Sequence, residues 1–170
     1  PASIRNISSD EQVIRLLVAF CVLTLVFSFF FRASQEDFEP LKKTIDKYIL
    51  LLSDGYRDMN LTPLRGVATE KECDKTYIHM AAFGESRKRI DSKIKKIDFL
   101  RFEKVSESKF KVETEEVWDY SHIDIDTSKV SQEFKDVSHR MQYTLEKIES
   151  KWFVDSVEFK DAKSGAASAQ

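Results

Sequence analysis

Glycine, proline, cysteine and histidine are scarce in this sequence of 170 residues, which contains 4, 3, 2 and 3 of them. So few glycines form neither a glycine-rich phosphate loop nor a nucleophile elbow, which disfavours nucleotide hydrolysis and serine hydrolysis. The histidines are not spaced i and i+4, and neither cysteine has a ligand-spaced neighbour, so we expect no metal site. With no catalytic motif in the chain, we expect a protein that is not an enzyme and needs no cofactor.

The two cysteines are not expected to form a disulfide. Cys21 lies inside an apolar segment near the N-terminus, whereas Cys73 lies in the charged remainder of the chain. A disulfide needs the two Cα atoms within about 7 Å of each other. Because the two cysteines are expected in different parts of the protein, their Cα atoms should be too far apart. Cys73 falls on the apolar stripe of a predicted helix, which favours burial as a small hydrophobic side chain.

The charge balance does not indicate nucleic-acid binding. The chain has 27 Lys and Arg against 29 Asp and Glu, a formal net charge of −2, and the part from Arg32 onward has the same net charge. Phosphate binding needs a basic excess or a basic stripe. The basic cluster at positions 87–96 is diluted by Glu85, Asp91 and Asp98. It is typical of a solvated surface, with contact to lipid headgroups or an acidic partner as the alternative.

One uncharged run of sixteen residues, from Leu16 to Phe31, stands apart from the rest of the chain. With Val13 to Arg15 added, a helix of this length rises about 28 Å, close to the roughly 30 Å of a bilayer's hydrocarbon core. We therefore predict a transmembrane helix at 13–32 after a short tail at 1–12. The residues expected at its two boundaries are Arg15, Phe29, Phe30, Phe31 and Arg32.

This segment is predicted to be a retained anchor. A cleaved signal peptide needs small residues at the −3 and −1 positions after the apolar run. The candidate pairs are Phe31 with Ala33 and Arg32 with Ser34, and neither fits. A buried core helix would carry a polar stripe, which Thr24 and Ser28 alone do not make. The short tail favours a cytoplasmic N-terminus and a periplasmic domain at a bacterial inner membrane, although the Lys and Arg bias leans the other way.

Hydrophobic periodicity predicts helices in the first half of the remaining chain. A capping-box-like start at Ser34 to Asp37 precedes a long amphipathic helix that should end near Gly55. A short helix should begin at Thr62, and a second capping box, formed by Thr69 and Glu72, should start another helix that stops between residues 84 and 89.

After residue 90 the period changes from 3.6 to 2, which predicts strands. The apolar parity switches between Phe99 and Leu100, indicating a bulge or a strand covered on both faces. Strict alternation predicts a long strand over 110–122, and two more strands follow at 137–145 and 152–159, with residues 121–136 as a polar loop. The expected fold is α+β, with helices packed on a curved antiparallel sheet over residues 33–161 and a flexible tail at 162–170.

The segment YTLEKIESKWFVDSVEF, from Tyr143 to Phe159, resembles the closing hairpin of nuclear-transport-factor-like domains. VETEEVWDY, from Val112 to Tyr120, is similar to the strand that precedes that hairpin. The resemblance implies a cone-shaped domain used for assembly and binding. Its members on one transmembrane helix include type IV secretion scaffold subunits, bacterial envelope proteins and intermembrane-space domains of plastid division proteins, and the architecture here is similar to all three.

The same resemblance implies a pocket between the sheet and the helices. Enzymes of this family use an Asp, Glu or His in that pocket as a base. Glu116 is the candidate because it shares one strand face with Trp118 and Tyr120, and Tyr143 completes this possible pocket. His122 and His139 are expected near its mouth. The alternative is a structural Glu116, at a sheet edge or paired with a lysine.

Two hypotheses about function follow. The first is a non-enzymatic, membrane-anchored docking subunit, whose partners are the lipid bilayer and other membrane proteins or a second copy of itself. The second is a membrane-tethered module that binds a small ligand, or a lyase- or isomerase-like enzyme, using the aromatic pocket. A cavity of several hundred cubic ångströms on the concave face would favour the second hypothesis.

Overall fold

A computed structural model describes residues 38–160 of the chain. Residue contacts divide the chain into two units, Pro1–Glu39 and Pro40–Gln170, and all but the first residue of the elements below lie in the second. The predicted tail at 1–12, transmembrane helix at 13–32 with its boundary residues, and flexible tail at 162–170 lie outside the described residues. Within 38–160, no helix is both long and apolar enough to cross a membrane.

The described elements are three helices followed by four strands. In chain order they are α1 (Glu39–Asp58), a 3₁₀ helix (Thr62–Gly66), α2 (Glu70–Glu85), β1 (Lys88–Ser106), β2 (Lys109–Asp124), β3 (Val130–Ile148) and β4 (Lys151–Phe159). The strands form one antiparallel sheet in the order β1-β2-β3-β4. This arrangement, with helices packed on the sheet, confirms the predicted α+β class.

Helix α1 is amphipathic, and it runs one turn beyond the predicted end at Gly55. Leu41, Ile45 and Tyr48 recur at helical spacing and are buried. Met59 ends the helix in the left-handed conformation, with φ 54°. The amide of Asn60 then donates to the carbonyl of Gly55 at 2.9 Å, as in a Schellman motif. The glycine therefore lies inside the last turn, because a non-glycine residue takes the left-handed position.

The start of α2 forms only half of the predicted capping box. Thr69 caps the helix, and its hydroxyl accepts the backbone N–H of Glu72 at 3.4 Å. The N–H of Thr69 instead donates to the carbonyl of Val154 in β4 at 2.9 Å. Val154 in turn donates to Val67 at 2.9 Å, so backbone bonds fasten this end of the helical layer to the sheet. Because the Glu72 side chain does not accept the N–H of Thr69, it points into the interior of the domain, where it is buried.

The predicted loop at 121–136 is wrong, because most of it is strand. β2 continues to Asp124 and β3 begins at Val130, leaving a connection of only residues 125–129. The polar side chains of this segment lie on two paired strands whose backbone groups satisfy each other. The predicted irregularity in β1 is confirmed, since its register shifts between Phe99 and Arg101.

The core lies between the helices and one face of the sheet. Its fully buried aliphatic side chains come from every layer: Leu41, Ile45, Leu64, Val112, Leu145 and Val154. Cys73 is buried as predicted, and burial raises the pKa of its thiol.

Candidate functional site

A cavity of about 410 Å³ lies between the two α-helices and the sheet. The four residues predicted to form a pocket all line it: Glu116, Trp118, Tyr120 and Tyr143. The first three are alternate residues of β2, so they share one face of the strand. Helix α1 contributes Tyr48 and Tyr56 on the opposite side. The size is in the range of small-molecule sites, which are usually about 300–1,000 Å³.

A bulge in β3 brings Phe134 onto this face. Tyr120 pairs with Phe134, whereas Trp118 pairs with Val137, so β3 has one extra residue between them. Asp136 adopts φ 52° within the bulge, and its N–H donates to the Asp119 carboxylate at 2.9 Å. This backbone hydrogen bond lowers the pKa of Asp119, with nearby lysines adding to the effect. The ring of Phe134 consequently stacks on Tyr120, with centroids 4.7 Å apart.

Glu116 is 1% exposed and receives three hydrogen bonds at the floor of the cavity. Its Oε1 accepts from the hydroxyls of Thr114 and Tyr143, each at 2.7 Å. Its Oε2 accepts from the indole N–H of Trp118 at 2.9 Å. Glu116 therefore has a structural role, but neither of the two expected settings is right. β2 is a central strand of the sheet, and no lysine within residues 38–160 forms an ion pair with Glu116. Hydroxyl and indole donors take the place of the lysine in that alternative.

A second buried carboxylate, Glu72 of α2, forms a similar pair with Tyr48 of α1. The Tyr48 hydroxyl donates to Oε1 of Glu72 at 2.7 Å. The other oxygen is buried without a hydrogen-bond partner, although the Lys75 ammonium lies 3.6 Å from it. We regard this as a weak ion pair, since the distance exceeds that of a hydrogen bond. Burial raises the pKa of Glu72, against the opposing effects of Tyr48 and Lys75.

The two tyrosine–glutamate pairs meet through their rings. Tyr48 and Tyr143 make an edge-to-face contact, with centroids 6.2 Å apart at 82°. Burial raises the pKa of both phenols, and the neighbouring carboxylates raise it further because a phenolate would be repelled. Both tyrosines therefore act as neutral donors at the base of the cavity.

A row of aromatic rings forms one wall of the cavity. Tyr56 and His79 are joined by a hydrogen bond of 2.6 Å, and His79 packs edge-to-face on Phe83 at 5.2 Å. Phe83 packs on His122 at 5.3 Å, and His122 packs on Phe134 at 5.6 Å. The row links α1, α2, β2 and β3, so each ring is fixed by neighbours from another element.

All three histidines of the chain line the cavity, including His79, which sequence reasoning did not place there. The available signal was its spacing, since His79 and Phe83 are four residues apart and share one helix face. His122 contacts the side-chain oxygen of Gln132 through Nδ1 at 2.8 Å. His139 packs against Phe159 at the rim, with centroids 5.3 Å apart.

Within residues 38–160, no group of three His, Cys, Asp or Glu side chains is arranged to hold a metal ion. The acidic residues near His122 are engaged elsewhere. Asp124 accepts hydrogen bonds from Thr127, and Asp126 forms an ion pair with Arg87.

No protein family matches this sequence, and no curated protein is similar to it. Its fold is similar to that of the intermembrane space region of the chloroplast protein ARC6, with a TM-score of 0.61 at 12% identity, over 70% of this chain and 92% of that one. A periplasmic fragment of TraM has a TM-score of 0.48 at 8% identity, over 71% of this chain and 94% of that one. An NTF-2 like protein of unknown function from Shewanella oneidensis has a TM-score of 0.40 at 12% identity, over 69% of this chain and 97% of that one. The first likeness concerns the fold alone, and the other two scores are too low to bear on it.

Proposed function

We propose that this protein is a non-enzymatic binding module whose receptor site is the aromatic cavity. The observation that carries the proposal is the cavity itself, about 410 Å³ in volume and lined by aromatic rings from both α-helices and the sheet. Aromatic and aliphatic walls with a few placed polar groups are typical of ligand sites. Of the two sequence hypotheses, this geometry favours ligand binding.

The hydrogen bonds around Glu116 support binding without catalysis. A general base needs a carboxylate oxygen within reach of the proton that it removes. Here Oε1 is shared by two buried hydroxyls and Oε2 is occupied by Trp118. The candidate base, Glu116, is thus committed to holding the cavity floor together.

We further propose that the module is a nuclear-transport-factor-like domain working at a membrane, in complex with other membrane proteins or a second copy of itself. The resemblance of the segment from Tyr143 to Phe159 supports the domain assignment, and this segment does pair as an antiparallel hairpin of β3 and β4. The uncharged run from Leu16 to Phe31 supports an anchor at 13–32. The short tail before this run is what favours a bacterial inner membrane with the domain in the periplasm.

Methyl NMR of the three methionines tests the binding site, because their positions differ. Met141 lines the cavity, whereas Met59 and Met80 line a separate depression formed by residues 59–61, the 3₁₀ helix and α2. We expect benzyl alcohol, a small neutral aromatic ligand, to shift the Met141 methyl signal of the full chain saturably. The Met59 and Met80 signals should stay in place, so they serve as internal controls.

A pair of serine substitutions provides the matched control. Ser92 lines the cavity from β1, whereas Ser138 is exposed on β3. Ser92→Leu should fill part of the cavity and abolish the Met141 shift, and Ser138→Leu should leave it unchanged. Equal shifts of all three methionines, or an unchanged titration in the Ser92 variant, would show that the cavity is not the binding site.

The membrane proposal has its own test. Full-length protein in cells should remain with the membrane fraction after alkaline carbonate extraction, and protease added to spheroplasts should digest the domain. Crosslinking in those membranes should recover a protein partner or a dimer. Release into the soluble fraction would contradict the anchor, and a protected domain would contradict the periplasmic orientation.

A further inference from the structure

Among the described residues, the lining of the cavity contains one carboxyl side chain and no lysine or arginine. The carboxyl side chain is that of Glu116. The remaining titratable groups that face it are four tyrosines and three histidines: Tyr48, Tyr56, Tyr120, Tyr143, His79, His122 and His139. An anionic ligand would thus meet a carboxylate with no lysine or arginine beside it.

The carboxylate of Glu116 is also held at an energetic cost. A buried charge is expensive unless an opposite charge compensates it. Three donated hydrogen bonds offset part of this cost, but they come from neutral groups. A positive group entering the cavity would supply the missing counter-charge, and the low dielectric of the site would strengthen the attraction.

The aromatic walls favour the same sign of ligand. The face of an aromatic ring carries a partial negative charge and attracts cations within about 6 Å of its centroid. Trp118, Tyr120 and Phe134 lie on the sheet side of the cavity, and Tyr56 and Phe83 lie on the helix side. The same chemistry occurs within the chain, since the Lys42 ammonium lies 5.8 Å from the ring centroid of Phe99 outside the cavity.

We propose that the ligand of the cavity is a small organic cation, with a quaternary ammonium or a protonated tertiary amine enclosed by the aromatic rings above Glu116. This inference rests on the proposed function, since it names the ligand class of the same site. A methylated ammonium fits better than a bare one, because its apolar surface contacts rings and its charge needs few hydrogen bonds.

Two probes of nearly equal shape separate charge from size. Choline and 3,3-dimethylbutan-1-ol differ in that a quaternary nitrogen is replaced by carbon, so the second lacks the positive charge. The chain has two tryptophans, and Trp152 lies outside the cavity against Phe110. In a Trp152→Phe variant of the full chain, Trp118 emission therefore reports on the cavity. At pH 8 we expect choline to bind about tenfold more tightly than the neutral alcohol.

Variants test which groups supply the preference. Glu116→Gln removes the charge with little change in shape, and it should reduce the choline preference to about threefold or less. Because this change also disturbs three hydrogen bonds, Phe134→Leu gives a second test that leaves the carboxylate intact. It should weaken choline binding severalfold more than alcohol binding. Phe99→Leu, outside the cavity, should change neither.

The outcomes distinguish this inference from the proposed function. Tighter binding of choline, lost in the Glu116 and Phe134 variants, supports the inference. Equal or tighter binding of the neutral alcohol would overturn it while leaving the cavity as a binding site. Binding of neither probe, together with no response to benzyl alcohol, would overturn both.

Discussion

The phenol of Tyr143 in β3 donates a hydrogen bond to Oε1 of Glu116 in β2 at 2.7 Å, and the two side chains are 2% and 1% exposed. This bond joins the two central strands beneath the cavity. It also couples the ring of Tyr143, which packs on Tyr48, to a buried carboxylate. The stability of the domain and the shape of the cavity therefore depend on the same contact.

Tyr143→Phe removes this donor and leaves Glu116 with two. Hydrogen bonds to charged groups contribute about 1.5–3 kcal/mol, so the free energy of unfolding should fall by about that amount. Urea denaturation followed by circular dichroism measures the change. Tyr77→Phe is the control, because Tyr77 is 60% exposed and its substitution should have almost no effect. Equal losses in the two variants would show that the buried bond contributes nothing.

Glu72→Gln should change how stability depends on pH. Burial raises the pKa of Glu72 in the folded state above its unfolded value. Its contribution to stability is therefore fully present below the unfolded pKa and is lost as the pH rises through the folded one. Glutamine does not ionise, and its side-chain oxygen still accepts from Tyr48.

We therefore expect the Glu72→Gln variant to gain stability relative to the natural chain as the pH rises from 4 to 7. Urea unfolding at the two pH values measures this difference, and ionisable groups common to both proteins cancel. A difference that stays constant, or that shrinks toward neutral pH, would contradict the raised pKa.

Gly55→Ala should destabilise the domain although alanine favours helices. A Cβ atom at residue 55 would lie 2.6 Å from Cδ2 of the buried Leu61 and 3.2 Å from the carbonyl oxygen of Asn60. Overpacking of this kind typically costs about 1–3 kcal/mol, which equals or exceeds the roughly 1 kcal/mol that alanine gains over glycine in a helix. Gly66→Ala is the control, since nothing lies within 4 Å of its Cβ position. Thermal unfolding should show a lower Tm for the first variant alone.

Much of this fold could be predicted from periodicity. The strict alternation in β2 correctly predicts that Glu116, Trp118 and Tyr120 share one face of the strand. The resemblance implies a pocket, and Tyr143 completes its predicted lining. The 3.6-residue period also found both α-helices. These predictions hold because one face of each element is buried, which leaves a regular apolar pattern in the sequence.

The remaining features depend on contacts between distant residues. The bulge at Asp136 breaks the alternation of β3, and it is held by Asp119 in another strand. The sequence pattern before the bulge therefore predicts a loop, and it gives no signal that Phe134 lines the cavity. Likewise, the Glu72 side chain does not cap its helix as expected. It accepts a hydrogen bond from Tyr48, 24 residues earlier in the chain. Sequence spacing does not encode such pairings.

A crystal structure of the full chain grown with 4-bromobenzyl alcohol tests the central claim most directly, because bromine gives an anomalous signal that locates the ligand. We predict an anomalous peak inside the cavity, among Trp118, Phe134 and Met141, and no such peak in the Ser92→Leu variant. An empty cavity at saturating ligand, or one closed by the protein's own side chains, would contradict the account.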